Sequence, residues 1–288
     1  MQKVHAPSYG LVNINLAPGK LWRVPRTELL SVGNELLSGR TLNTNAQWLC
    51  KQLFELGIRV NRITTVGDDL DEISGAVKEA LGRGTSLLIT TGGLGPTYDD
   101  MTVEGVAKAL EVELLEHPLA LQLVTEKYAK LAARGREIPI TQARRKMALL
   151  PKGAAPLANP VGTAPGVLLE GPSYVIICLP GVPDEMKAIF EGHIRSLLTS
   201  RFKGPSISVK RAVLVGIMES TLAPLIDIVR SESPSVYIKS HPNRSELEGP
   251  LIELEVQGEE EEAERALRAL LQLAEKEGGR VVGEAGGT

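Results

Sequence analysis

From Glu28 onward, apolar and polar positions fall into short alternating blocks that predict a β-α-β-α-β run. Leu29 to Val32 forms a brief apolar strand, and Gly33 to Leu42 follows as a loop. Ala46, Leu49, Leu53 and Leu56 recur at intervals of three and four, the stripe of a helix. Asn43 or Asn45 can cap that helix, and Gly57 ends it. A strand near Val60, Ile63 and Val66 leads to Asp68, Asp69 and Asp71, which open a second helix. Ile73, Ala76, Val77, Ala80 and Leu81 give it an apolar face, and Leu87 to Thr91 reads as an all-apolar strand. Such an order implies a parallel sheet covered on both faces.

Beyond a glycine loop, Thr102 to Leu110, His117 to Ala133 and Ile140 to Leu149 read as helices. Ala154 to Gly166 is rich in Pro, Gly and Ala and precedes strands at Val167 to Leu169 and Tyr174 to Leu179. Pro183 starts a helix running to about Ser200. Composition changes at a Gly-Pro break between Lys203 and Ser206. The remainder reads strand (Ile207 to Val215), helix (Glu219 to Arg230), strands (Ser235 to Ser240 and Leu251 to Val256), helix (Glu259 to Glu277) and strand (Arg280 to Val282). That is the split order of small two-layer α+β domains. The expected organisation is an amino-terminal extension over residues 1–27, an α/β domain over 28–203 and a small α+β domain over 204–288.

Charge and composition narrow the function classes. The chain of 288 residues carries a formal net charge of −3, which argues against a general nucleic-acid or membrane-surface binder. Aromatics at 3% leave few stacking platforms for single strands. Gly204 to Thr288 holds nine Lys/Arg against fifteen Asp/Glu, a net −6, which leaves +3 for the rest of the chain. No stretch is apolar and long enough to span a bilayer. Cys50 and Cys178 lack metal-ligand spacing and read as small buried hydrophobes in a reducing cytoplasm. His5, His117, His193 and His241 are scattered, and none pairs into a triad or zinc pattern.

In an open parallel sheet, ligands bind beyond the carboxyl ends of the strands. Three loops leave there: Gly33 to Asn45, Gly92 to Asp100 and Pro180 to Glu185. Gly92, Gly93 and Gly95 allow close backbone approach, and the following helix offers its positive end, which suits a phosphate. Asp99, Asp100, Glu35 and Glu185 are expected to converge at one rim. Carboxylates beside a phosphate imply a bridging divalent cation. The plainer readings are a glycine turn with Asp99 or Asp100 as N-cap, and solvated charges at Glu35 and Glu185. Asn159 and Thr163, in NPVGTAPG, can present polar groups from a rigid turn. Arg144, Arg145 and Lys146 form a basic triplet, either phosphate-neutralising or a solvated helix face.

The motifs GNELL, NTNAQ, VGDD, TGGLGPTYDD, NPVGTAPG and LPGVPDE, in this order, resemble the amino-terminal domain of the CinA-like competence/damage-inducible proteins. The resemblance covers roughly Glu28 to Ser200, and the part after Gly204 is similar to the KH-like domain that follows in those proteins. It implies a three-layer α/β/α fold with a mostly parallel sheet, like molybdopterin-binding domains, plus a small α+β domain. It implies a metal-dependent pyrophosphatase acting on ADP-ribose or a similar nucleoside diphosphate compound. The alternative is a molybdopterin or nucleotide binder without turnover. On that pattern Asp99, Asp100 and Glu35 are catalytic, with Asp99 and Asp100 holding Mg²⁺, Mn²⁺ or Co²⁺ alongside a monovalent cation. Gly33, Asn34, Asn45, Gly92, Gly93, Gly95, Thr97, Asn159, Thr163 and Glu185 bind the nucleotide. A cytoplasmic homodimer is expected, without nucleic-acid partners, membrane association or the deamidase activity of longer CinA proteins. Asn34 and Tyr98 stand where the family often has Thr and Lys.

Overall fold

The computed structural model describes residues 25–132, 138–202, 207–245 and 249–286. Residues 1–24, which hold most of the expected extension, and the Gly-Pro break at 203–206 lie outside the described residues. Two compact units are present, Met1–Cys50 with Arg59–Lys203, and Lys51–Ile58 with Gly204–Thr288.

The first unit begins with strand β1 (Thr27–Val32), a one-turn helix α1 (Asn34–Leu37), the part of helix α2 (Thr44–Glu55) up to Cys50, β2 (Val60–Val66), α3 (Leu70–Gly82) and β3 (Leu87–Thr91). There follow α4 (Thr102–Leu110), β4 (Leu114–Glu116), α5 (Pro118–Ala132), α6 (Gln142–Lys146), β5 (Leu149–Pro151), β6 (Ala155–Leu157), β7 (Gly166–Glu170) and β8 (Val175–Leu179). The last helix is α7 (Pro183–Ile189), continued through a π turn (Phe190–Ile194) into α8 (Arg195–Arg201). The main sheet has the order β2-β1-β3-β8-β7-β6. β2, β1, β3 and β8 run parallel, while β7 pairs antiparallel with β8 and β6 antiparallel with β7.

Alternation along each strand sends side chains to both faces. Leu30, Val32, Leu88, Ile176 and Cys178 join Ile73 and Val77 of α3, Val106 of α4 and Val124 of α5 in one buried core. Gly105 permits the close approach of α3 and α4, because a Cβ there would meet Ile73 Cγ2 at less than 3.0 Å. On α2, Trp48 sits edge-on to Phe190 with ring centroids 5.2 Å apart. Helices therefore cover both faces, as expected of an all-buried parallel sheet.

Several local expectations are corrected. Ile140 to Leu149 is a helix only over α6, because Leu149 and Leu150 pair with Glu116 and Leu115 as β-strand. Part of the Ala154 to Gly166 segment is strand β6, and Asn34–Leu37 is helical rather than loop. Asn43 caps α2 through Ala46 N–H at 3.2 Å, and Asn45 lies inside the helix. Neither Asp99 nor Asp100 caps α4, whose N-cap position is Met101 with no side-chain bond. Asp69 does cap α3, accepting from the N–H groups of Asp71 and Glu72.

The second unit runs β9 (Ile207–Val215), α9 (Glu219–Glu232), β10 (Tyr237–Ser245), β11 (Gly249–Glu259), α10 (Glu260–Lys276) and β12 (Arg280–Gly286). Its antiparallel sheet has the order β10-β11-β9-β12, a split β-α-β arrangement. Leu214, Ile252, Leu254 and Val256 pack against Leu222 and Val229 of α9 and Leu267 and Leu270 of α10. No described helix in the chain is long and apolar enough to cross a membrane.

Candidate phosphate-binding site

The sheet order places β3 and β2 on opposite sides of β1, so connections diverge at the ends of β1 and β3. Such a switch point opens a crevice at the carboxyl ends of the strands. Gly92 leaves β3 with φ of 101°, and its N–H donates to Leu179 O at 3.0 Å. A Cβ on Gly92 would lie less than 3.0 Å from the backbone oxygen of Val32, so only glycine fits between β1 and β8. Gly93 also has positive φ, at 65°, and presses on Thr102. The buried Thr102 fastens the loop, its hydroxyl donating to Gly92 O at 2.7 Å and its N–H to Gly93 O at 3.1 Å.

The next turn is organised by Asp100. Its Oδ2 accepts from the Thr97 N–H at 2.8 Å and from the Thr97 hydroxyl. The same carboxylate lies over Gly95, where a Cβ would meet it. Proximity of the Thr97 hydroxyl, Asp99's own backbone N–H and the Lys146 ammonium hold the half-buried Asp99 carboxyl below the usual carboxylate range. Across the gap, Lys146 Nζ donates to Thr97 O at 2.6 Å.

These groups wall an open pocket with about 440 Å³ of empty space including its mouth. Gly93, Leu94, Gly95, Asp100, Val103 and Glu104 line it together with Leu114, Lys146, Met147, Leu149, Pro165 and Val167.

The remaining candidates lie on neighbouring loops and serve as braces. Gly33 N–H donates to Val66 O at 3.1 Å, and Glu35 curls back so that its carboxylate covers Gly33. Asn34 N–H donates to Asp68 Oδ2 at 2.8 Å, while Asp68 N–H returns to Asn34 Oδ1 at 3.4 Å. Asn45 Nδ2 donates to Gly181 O at 2.8 Å, and its Oδ1 is buried without a hydrogen-bond partner. Asn159 is buried and organises the NPVGTAPG turn, donating to Ala164 O at 2.9 Å and to Glu185 Oε2 at 2.7 Å. Its Oδ1 accepts from the N–H groups of Val161 and Gly162. Thr163 reaches only the Met147 sulfur, at 4.0 Å.

Thus Gly93, Gly95 and Asp100 come together at the pocket, whereas Glu35 and Glu185 do not line it and are turned to Gly33 and Asn159. Among the described residues no group of three or more His, Cys, Asp and Glu is placed to hold a metal. The basic triplet is divided. Arg145 forks onto Glu116 at 2.8 and 2.9 Å, Arg144 lies over the Tyr128 ring, and only Lys146 faces the pocket. Sequence spacing alone groups the three together; the periodicity of the short α6 helix separates them. Thr102 and Asp68 also escape the sequence reading, since each works through backbone groups.

Residues 28–200 match the family described as "Probable molybdopterin binding domain". The chain belongs to that family. A relative from Aeropyrum pernix is 46% identical over 252 residues, covering 88% of this chain and 92% of the relative. One from Sulfurisphaera tokodaii is 42% identical over 265 residues, covering 88% and 97%. A crystal structure of the protein CinA, of unknown function, from Thermoplasma acidophilum is 41% identical. It superposes with a TM-score of 0.56 over 60% of this chain and 98% of that chain. The glycine loop leaves β3 at the switch point, and its Gly93, Leu94 and Gly95 line the pocket.

Proposed function

We propose that the first unit binds a phosphorylated small molecule, a nucleoside diphosphate compound such as ADP-ribose or a pterin, at the loop Gly92 to Asp100. The observation that carries this reading is the conformation of Gly92 and Gly93, pinned by Val32, Leu179 and Thr102 beside an open pocket. Loops of this kind bring backbone N–H groups within reach of an anion. Tight backbone bracing also limits the ordering cost of binding.

Metal-dependent hydrolysis of the diphosphate is a second reading, favoured by the half-buried, readily ionised Asp99 next to Asp100. The donor set suits a cation held jointly by protein and ligand, since Mg²⁺ commonly takes one or two carboxylates with phosphate oxygens and water. Asp99 and Asp100 are the residues that would hold Mg²⁺, Mn²⁺ or Co²⁺, with a monovalent cation alongside. Bound there, a divalent ion would offset charge on the phosphates. We read the protein as a cytoplasmic homodimer, and the second unit as a KH-like companion domain rather than an RNA reader.

The deciding experiment is calorimetric titration with ADP-ribose and inorganic pyrophosphate, combined with mass spectrometry of any ligand that co-purifies. Binding of either probe, or a co-purified phosphorylated nucleotide or pterin, is expected; absence of all three sinks the proposal. Formation of AMP from ADP-ribose in Mg²⁺, Mn²⁺ or Co²⁺ distinguishes the enzyme from the carrier. Light scattering checks the dimer.

A further inference from the structure

We propose that Lys146 is the cation that receives the ligand's phosphate, an inference that rests on the binding reading above. Lys146 ends α6 and lines the same pocket as Gly93 and Gly95. Of the residues lining that pocket, it is the one Lys, Arg or His. Among the described residues its ammonium gives one hydrogen bond, to Thr97 O at 2.6 Å, and an ammonium has three donors, so two remain for a ligand without a described partner.

The neighbouring cations are committed elsewhere. Arg145 pairs with Glu116, while Arg144 donates to Pro139 O and covers Tyr128. Lys146 makes no such ion pair among the described residues, although its charge acts on the nearby Asp99. Its contact with Thr97 fixes a long, flexible side chain before any ligand arrives, which reduces the rotamer entropy lost on binding. A lysine acts on phosphate as a point charge and needs no fork geometry. The facing carboxylate of Asp100 is engaged by two donors from Thr97 and turned toward Gly95. Lys146 and the glycine loop therefore form one unit: the lysine holds the loop through its carbonyl and presents its free donors to the same space.

Titration of the full chain with ADP-ribose and inorganic pyrophosphate, for wild type, K146M, K146Q and K146R, tests the assignment. K146M and K146Q are expected to bind at least tenfold more weakly, with thermal melting close to wild type. K146R should recover most of the loss, because it restores charge with a different shape. Added NaCl should weaken wild-type binding more steeply than K146M binding. Affinity of K146M and K146Q within twofold of wild type overturns the role of Lys146 alone. Equal losses in K146R and K146M also overturn it, since they would report the Thr97 contact rather than charge. Wild-type protein that binds neither probe overturns the phosphate-binding reading itself.

Discussion

One oxygen of Asp100, Oδ2, accepts both the backbone N–H and the hydroxyl of Thr97, closing a tight ring within the glycine loop. Hydrogen bonds to a charged group contribute about 1.5–3 kcal/mol each. Asp100→Ala should release Thr97 and weaken ADP-ribose binding by roughly tenfold or more. Asp100→Asn, which keeps an acceptor but no charge, should fall between. Unchanged affinity in D100A, measured by calorimetry, would remove Asp100 from the site.

Asn159 makes four hydrogen bonds from a buried position, two to loop amides, one to Ala164 O and one to Glu185. Asn159→Ala should cost about 2–4 kcal/mol in urea unfolding, from buried groups left without partners. Asn159→Asp sets a second carboxylate beside Glu185 and should be better tolerated at pH 4 than at pH 8. A flat pH response of the D variant relative to wild type would contradict the pairing.

Gly92 and Gly153 both have positive φ, 101° and 89°, but differ in surroundings. A Cβ at Gly92 meets the Val32 carbonyl, whereas one at Gly153 meets nothing within 4 Å. G153A should cost roughly 1 kcal/mol, the strain of the conformation alone. G92A should cost more than about 3 kcal/mol, as strain and backbone clash add. Equal melting temperatures for the two variants would show that β1 and the loop can separate freely.

Glu28 lies on β1 at the end of the sheet opposite the site, with Arg83 Nη2 at 2.7 Å and Arg26 at 3.5 Å. Burial raises its pKa, but the hydrogen bonds from Arg83 and the charges of Arg83 and Arg26 outweigh it, so the net shift is downward. A folded pKa below the unfolded one gives stability that is full above the unfolded value, about 4.3. That stability is lost as pH falls through the folded pKa. Glu28→Gln should therefore be less stable than wild type by roughly 3 kcal/mol at pH 7, with the gap closing below about pH 4. A gap independent of pH would show that the ion pair is not its source.

Burial pushes the Cys178 thiol up to about 11, so almost no thiolate exists at neutral pH. Cys178 should resist alkylation in the native protein and react only on unfolding. Mass spectrometry after iodoacetamide treatment at pH 8 checks this, and native labelling at Cys178 would contradict the packing of β8.

Much of the fold was legible because its elements carry strong periodic signals. Ile73, Val77 and Ala80 announce α3, and the apolar run Leu87 to Thr91 can sit only in a strand buried on both faces. Pairs of three-residue strands such as β4 and β5 carry too few positions for any period to show. At the site, the glycine loop was readable because Gly92 and Gly93 answer a backbone requirement. The directions of carboxylates were not. Glu35 is turned by the one-turn helix α1, and Glu185 is held by Asn159, 26 residues away in the chain. A shared sheet edge brings loops together, but local turns decide which side chains meet.

The π turn at Phe190–Ile194 has a consequence for the whole carboxy-terminal helix of the first unit. Ile189 and Ile194 are both fully buried although five positions apart, a spacing an unbroken α-helix would splay to different sides. The wide turn takes up one extra residue, and Leu197 and Leu198 beyond it are buried like Met186, Ile189 and Phe190 before it. A π turn holds one residue more than an α turn, so removing one residue there would give an unbroken α-helix with Ile189 and the former Ile194 four positions apart on one face. The extra residue is thus absorbed locally, without turning the oily side to water.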